Sequence, residues 1–445
     1  MKTYLVKKGD FRKYQKTILK ILKAKVEVTP ANFKLLVNRF FKKRAAILKM
    51  AKAQPTPFYL IDQAELSSAL NNFKSAFTKY LPGSKYFYAV KVNHHPYILK
   101  QAVKDGYGLD VSSSRELKLA LAAGAKGIIF SGPGKTSADL DLALKNRNKI
   151  IVNLDSFSEL KRLGDLAKKK NQIIAAGVRI YTKYHGEWNK FGIALVDLKK
   201  FFNEAKKYPQ VKLQGIQFHL SLNAGPAPYV QVIGELSRYL RASFSPRELA
   251  SLKFIDFGGG FMVPGAEGHY PHESAAGTLI KTTAEYLGEA PKFIDNYYLR
   301  PAAPVAEYAK VIGSACKKYL DPLLNVVYFA EPGRIIANNA MHIVLRVVDV
   351  KSQNKVIVDG GINLVGWEHF DTDYIPLLNL THPSLKEKDC LVYGSLCLPE
   401  DLWGRWCYVK KMSEGDFLLV PYQGAMTYAL AQEFIKGIAP VYILE

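Results

Sequence analysis

Tyr86-Phe87-Tyr88-Ala89-Val90-Lys91-Val92-Asn93 is a strand-like apolar run with a lysine near its end. Burying an ammonium in apolar surroundings is costly unless it is paired or neutralised, and condensation with an aldehyde to a Schiff base is one way to neutralise it. Taken alone, the run reads more simply as a strand whose terminal lysine reaches solvent. The chain around it changes that reading. From residue 86 the sequence repeats a short apolar run, a turn and a longer helical stretch, with apolar runs at 86–92, 108–113, 127–132, 150–155, 176–181, 213–220, 254–257 and 326–330. Eight such alternations over about 250 residues predict a (β/α)8 barrel, whose active site lies at the C-terminal ends of its strands. Lys91, Asp110, Arg179, His219, Gly258-Gly259-Gly260 and Glu331-Pro332-Gly333-Arg334 each stand at or just past the end of a run.

Outward from this core, the 445 residues carry a net charge of +23 and are enough for two or three domains. Residues 1–53 hold 16 Lys or Arg against Asp10 and Glu27, so most of the excess is local. Phe11, Tyr14, Ile18, Ile21 and Leu22, then Phe33, Leu36, Val37, Phe40, Phe41, Ile47 and Leu48, recur at helical spacing. They predict a basic helical extension over 1–54 that docks its apolar faces on the body, or that offers its charge to an acidic partner. Residues 55–80 lead into the barrel, 81–338, and a strand near Phe58 is expected to join a C-terminal β domain, 339–445. That domain is read from short β-like pieces at 343–350, 355–359, 390–393, 416–421 and 440–444. Cys316, Cys390, Cys397 and Cys407 lack metal or disulfide-framework spacing, which with the absence of an export signal or a membrane-length apolar stretch predicts a soluble, cytoplasmic protein. No nucleic-acid module accompanies the basic extension.

Phe254-Ile255-Asp256-Phe257 followed by three glycines is a strand opening into a loop whose N–H groups can approach a phosphate, or else an ordinary tight turn. It is not the dinucleotide fingerprint, because G-x-G-x-x-G does not occur. Glu331-Pro332-Gly333-Arg334 sets an acid and a guanidinium on one turn. The acid suits a protonated ring nitrogen and the arginine a phosphate; a salt-bridged turn is the alternative.

In this order the motifs resemble the fold-type III pyridoxal phosphate decarboxylases, the family of diaminopimelate, ornithine and arginine decarboxylases. The resemblance covers residues 56 to about 437. It is carried by Tyr88 to Asn93, Asp110-Val111-Ser112 with Glu116-Leu117, Phe130 to Lys135, Asn189-Lys190-Phe191-Gly192, Phe218-His219, Asp256 to Phe261, Glu331 to Arg334 and Gly394-Ser395-Leu396-Cys397. It implies a pyridoxal 5'-phosphate-binding barrel with a C-terminal β domain. Lys91 would form the Schiff base, His219 would stack on the cofactor ring and Glu331 would pair with its nitrogen. Gly259, Gly260, Gly333 and Arg334 would hold the phosphate, while Asp110 and Arg179 support the site. Cys397 would enter from the second subunit of a homodimer with shared sites and protonate the carbanion after carbon dioxide leaves.

The departures from the family pattern bear on substrate. His219-Leu220-Ser221-Leu222 replaces H-x-G-S, so a serine phosphate contact is missing at 222, with Ser221 or Asn223 as replacements. Gly424-Ala425-Met426 replaces G-A-Y, with Tyr422 or Tyr428 to supply the hydroxyl. Leu398 stands where an acid usually grips a distal amine, Asp401 matches a later family acid, and no distal-carboxylate arginine is evident near Gly366-Trp367. The expectation is a decarboxylase acting on a conjugated or carrier-tethered amino acid, as in siderophore assembly, and not on a free basic diamino acid. The competing expectation is a cofactor-poor, non-catalytic binding homologue of the antizyme-inhibitor kind.

Overall fold

A computed structural model describes residues 8–25, 30–186, 190–264, 268–269, 282–286, 288, 298–299, 302–366 and 373–445. Eight strands form the predicted barrel: Lys85–Ala89, Gly108–Val111, Ile128–Phe130, Ile150–Leu154, Ile174–Tyr181, Val211–Gln217, Phe254–Asp256 and Val327–Ala330. Each pairs in parallel with its successor. The last returns to the first through Phe329↔Lys85 and Ala330↔Tyr86, closing the ring. Several helices that follow strands begin where the sequence offers caps. Ser113, Thr136 and Ser156 accept the N–H of Glu116, Asp139 and Glu159 three residues on, so strand ends and helix starts are fixed together.

Strand alternation sorts the interior into layers. The lower layer is plugged by Phe87, Ile129, Phe254 and Phe329, with Phe254 stacked on Phe329 at 4.7 Å. Gly177 and Gly215 make room for this plug, since a Cβ at Gly215 would lie 2.0 Å from the Phe254 ring. Two residues further along the strands come Asp110, Ser131, Asn153, Arg179, Gln217, Asp256 and Glu331, all buried. An apolar floor beneath a polar layer opens the barrel's chemistry to the C-terminal face alone.

Beyond the barrel, Met341–Ser352, Lys355–Val358, Pro383–Tyr393, Leu402–Val409, Leu377–Asn379 and Phe417–Val420 pair into a second closed sheet. Phe58–Asp62 joins it antiparallel to Met341–Ser352 and parallel to Val441–Leu444. The N-terminal residues form α1 (Lys8–Lys25) and α2 (Pro30–Ala53). On α2, Phe33, Leu36, Val37, Phe40, Ile47 and Ala51 are buried. The Phe40 ring meets His342 at 4.9 Å and Tyr422 at 5.4 Å. Lys43 reaches Asp62 (2.7 Å) and Glu65 (3.1 Å), Arg39 pairs with Glu65, and Arg44 donates to the Leu380 carbonyl. Lys34, Lys42, Lys49 and Lys52 are left exposed. Among the described residues no helix is long and apolar enough to cross a membrane.

Candidate active site

Lys91 is exposed, as the simpler reading of its run expects: the strand ends at Ala89 and the one-turn helix Val90–Val92 swings the ammonium to the barrel mouth. Its charge there acts on Asp110, Glu116 and His219. The backbone of this turn is fixed on both sides. Ala89 N–H donates to the Pro332 carbonyl (3.1 Å), Met426 N–H donates to the Val92 carbonyl (2.9 Å), and the Asn93 amide donates to the Gly424 carbonyl (3.0 Å). The Gly424–Met426 segment thus braces the lysine turn through its backbone.

Below Lys91 lies a buried acid cluster. Glu331 Oε1 accepts from Gln217 Nε2 at 2.8 Å, and Asp110 Oδ1 accepts from Ser131 Oγ at 2.8 Å. Ser131 Oγ also stands 3.4 Å from Glu331, but its one proton goes to the nearer oxygen. Burial and the charge of Glu331 push Asp256 well above the usual carboxylate range. Burial opposes ionisation of Glu331 too, but the Gln217 amide and the proton of Asp256 favour its anion. The pair therefore keeps one proton, on Asp256, and Glu331 is the anion. Asp110 is raised to about 8 by burial and by Glu331. Arg179 is buried beside these acids, 4.5 Å over the Phe191 ring.

His219 is pushed down to about 4 by burial and the Lys91 charge, so it is neutral. Its Nδ1 accepts the Gly259 N–H at 3.1 Å, placing the ring proton on Nε2. The 3.4 Å approach of Nδ1 to Glu331 Oε2 is then a contact and not an ion pair. Above it the glycine loop admits no side chain. A Cβ would lie 2.6 Å from the Phe218 carbonyl at Gly258, 2.5 Å from the Glu331 carbonyl at Gly259 and 1.9 Å from the Leu220 carbonyl at Gly260, and Gly258 and Gly260 have φ of +66° and +93°. At Gly333 a Cβ would lie 2.4 Å from Val92. Arg334 follows at the start of Arg334–Ala337, half-buried.

Three expectations are corrected here, those for Asp401, Asn223 and Tyr422. Asp401 is not presented to a substrate: it is buried, with Oδ1 accepting the Ile362 N–H (2.8 Å) and Oδ2 the Leu396 N–H (2.7 Å). Asn223 turns its amide to Tyr229 and the Gly260 carbonyl. The Tyr422 hydroxyl accepts from Arg39 of α2 (3.3 Å). Tyr428 packs against Tyr59, His94 and His95. Cys397 and Leu398 are exposed, and hydrogen bonds tie their loop to Asp359, Gly360 and Ile362 of the C-terminal domain. Among the described residues none of these bonds reaches the Lys91 site. Asn189 and Trp367 lie outside the described residues. Sequence reasoning missed Gln217, and also the buried Lys135–Glu159 pair (2.8 Å), whose lysine ties the Gly132 and Asn153 carbonyls. The available signal for Gln217 was its place at the end of the sixth strand, two residues before His219.

The site suits pyridoxal phosphate. It has an accessible lysine, a buried carboxylate held anionic, a flat neutral imidazole and a bare glycine loop. A buried polar atom without a partner, Gln217 Oε1, lies beside them. Among the described residues no His, Cys, Asp or Glu group could hold a metal. Comparison with known proteins agrees. Residues 64–338 match the pyridoxal-dependent decarboxylase, pyridoxal binding domain family, and the chain belongs to it. It is a pyridoxal phosphate-dependent carboxy-lyase. It is similar to a diaminopimelate decarboxylase of Neisseria meningitidis serogroup A, 26% identical over 402 residues that cover 87% of this chain and 88% of the relative. It is also similar to the L-glutamyl-[BtrI acyl-carrier protein] decarboxylase of Niallia circulans, 25% identical with 90% and 91% covered. The crystal structure of diaminopimelate decarboxylase from Helicobacter pylori complexed with L-lysine superposes with a TM-score of 0.72 at 24% identity, covering 90% of this chain and 94% of that one.

Proposed function

We propose that this decarboxylase acts on an amino acid whose distal end is acylated or tethered to a carrier protein. One observation carries the proposal: at the position where the family resemblance implies an amine-binding acid stands Leu398, 40% exposed beside the exposed Cys397, while Asp401 in the same loop has both oxygens bound to backbone N–H groups. Where a partner subunit covers this loop, an ammonium left there without a counter-charge would cost several kcal/mol in effective terms, which disfavours free diamino acids. The carrier-protein relative supports a tethered substrate. Several relatives named diaminopimelate decarboxylase favour a second reading, a free diamino diacid.

When bound, pyridoxal phosphate supplies the electron sink that lets a carboxylate leave as carbon dioxide. Lys91 would present the amine that holds the cofactor aldehyde, and its braced turn fixes where that nitrogen stands. Glu331, anionic and oriented by Gln217 and Asp256, would keep the proton on the ring nitrogen. His219, its Nδ1 held by Gly259, would lie flat on the ring. Gly260, Gly333 and Arg334 would hold the phosphate; Gly259, expected to share in this, gives its N–H to His219 and its carbonyl to Tyr229 and so shapes the loop instead, and Arg179 would offset the buried acids. Cys397 would deliver the proton that replaces carbon dioxide, from the partner subunit of a dimer, because its own loop bonds elsewhere.

The test is catalytic efficiency on free lysine, ornithine and diaminopimelate against acylated and carrier-bound analogues. A tenfold preference corresponds to about 1.4 kcal/mol. Equal or better turnover of a free diamino acid would favour the second reading.

A further inference from the structure

We infer that Asn223, Tyr229 and Tyr308 form a clamp behind the glycine loop that aims the N–H groups of Gly260 and Phe261 at the cofactor phosphate. In a trans peptide the carbonyl and the N–H of one unit point in opposite directions. The Gly259 carbonyl accepts the Tyr229 hydroxyl at 2.6 Å, so the N–H of the same unit, that of Gly260, points away from the clamp. The Gly260 carbonyl accepts both the Asn223 N–H (2.9 Å) and its side-chain amide (3.2 Å), so the Phe261 N–H points away as well. Among the described residues neither N–H meets an acceptor.

The clamp is a connected network. The Asn223 amide also donates to the Tyr229 hydroxyl (3.3 Å), and the Tyr308 hydroxyl donates to the Asn223 carbonyl. Tyr229 and Tyr308 are fully buried. The Tyr229 ring lies parallel to Phe261 at 5.2 Å, with Tyr308 edge-on to Phe261 at 5.3 Å. Packing therefore fixes the rings and the hydroxyls fix the loop. Leu222, at φ +51° and 59% exposed, turns outward and offers the site no hydroxyl. Binding strength at this end of the site thus comes from preorganised backbone donors, which lose little freedom when the phosphate arrives. The three residues are positioning residues, since they touch the loop and not the ligand.

The inference rests on assigning the glycine loop to the phosphate, and the two can fail separately. The measurement is the affinity of the full-length, cofactor-stripped protein for pyridoxal phosphate and for pyridoxal, which lacks the phosphate, alongside thermal unfolding of the stripped protein. For Tyr229→Phe, which keeps the ring, the expected result is roughly a tenfold loss for pyridoxal phosphate, from one buried hydrogen bond, with pyridoxal affinity unchanged. Tyr308→Phe, one bond further back, is expected to give a smaller loss of the same kind and covers the case in which Tyr229→Phe does not fold. Equal losses for both ligands, or no loss in either variant, would overturn the clamp. A wild-type protein that binds both ligands equally would overturn the phosphate assignment itself.

Discussion

At Lys91 an apolar run and an exposed side chain meet. The run around it is apolar because it is a barrel strand, but the strand stops at Ala89 and the turn after it exposes the side chain. Lys91→Ala should therefore leave the unfolding midpoint close to wild type while abolishing carbon dioxide release and the visible absorption of lysine-bound cofactor. Turnover near the wild-type rate would refute the assignment. Asp401 is the converse case. Its position suggested a substrate contact, whereas the structure gives it two backbone N–H groups that fold the Cys397 loop. Asp401→Ala should cost about 1–3 kcal/mol, the usual penalty for leaving buried polar groups unsatisfied; an unchanged denaturation midpoint would contradict that role. Such distinctions are not visible in sequence, because an acid held by distant amides looks the same as one held by a substrate.

At the scale of elements, the ends of the eight apolar runs are what made Lys91, Asp110, Arg179, His219 and Glu331 legible as one group. Once the strands are placed, Asp110, Arg179, Asp256 and Glu331 share one interior layer because each sits at an equivalent step of its strand. Partners that depend on the approach of separate segments, such as Asn223 with Gly260 or Gly424 with Asn93, were not legible. The same holds for α2, whose outer lysines were readable while its inner partners, Asp62, Glu65 and Leu380, were not. Removing residues 1–25 should leave the fold's stability nearly unchanged, whereas removal through residue 53 should uncover the seat of Phe33, Leu36, Val37 and Phe40. Burial of each such side chain is worth about 1.5–3 kcal/mol. The check is denaturant unfolding of both truncations, and a second truncation as stable as the first would contradict the docked role.

The whole molecule must respond to acid through its buried imidazoles. His219 and His185 are depressed to about 4 and His342 to about 3, chiefly by burial. Between about pH 6.5 and 4 the unfolded chain binds protons that the fold refuses, so stability is lost as pH falls, by up to about 1.4 kcal/mol per pH unit for each such proton. Asp110, raised to about 8, works in the opposite sense, and its contribution is lost as pH rises toward that value. Unfolding of the stripped protein from pH 4.5 to 8.5 should show a maximum inside that range, and a steady rise toward low pH would contradict it. Assembly has its own test. If Cys397 completes the site across a dimer, mixing Lys91→Ala and Cys397→Ala protomers should restore part of the activity, and failure despite proven subunit exchange would refute sharing. The central claim, decarboxylation of a substrate without a free distal ammonium, is tested most directly by carbon dioxide release from paired substrates, free ornithine or lysine against the same amino acid acylated at its distal nitrogen. We predict at least a tenfold higher kcat/KM for the acylated member, with Leu398→Glu narrowing the gap. Efficient turnover of the free diamino acid by the unmodified protein would contradict the account.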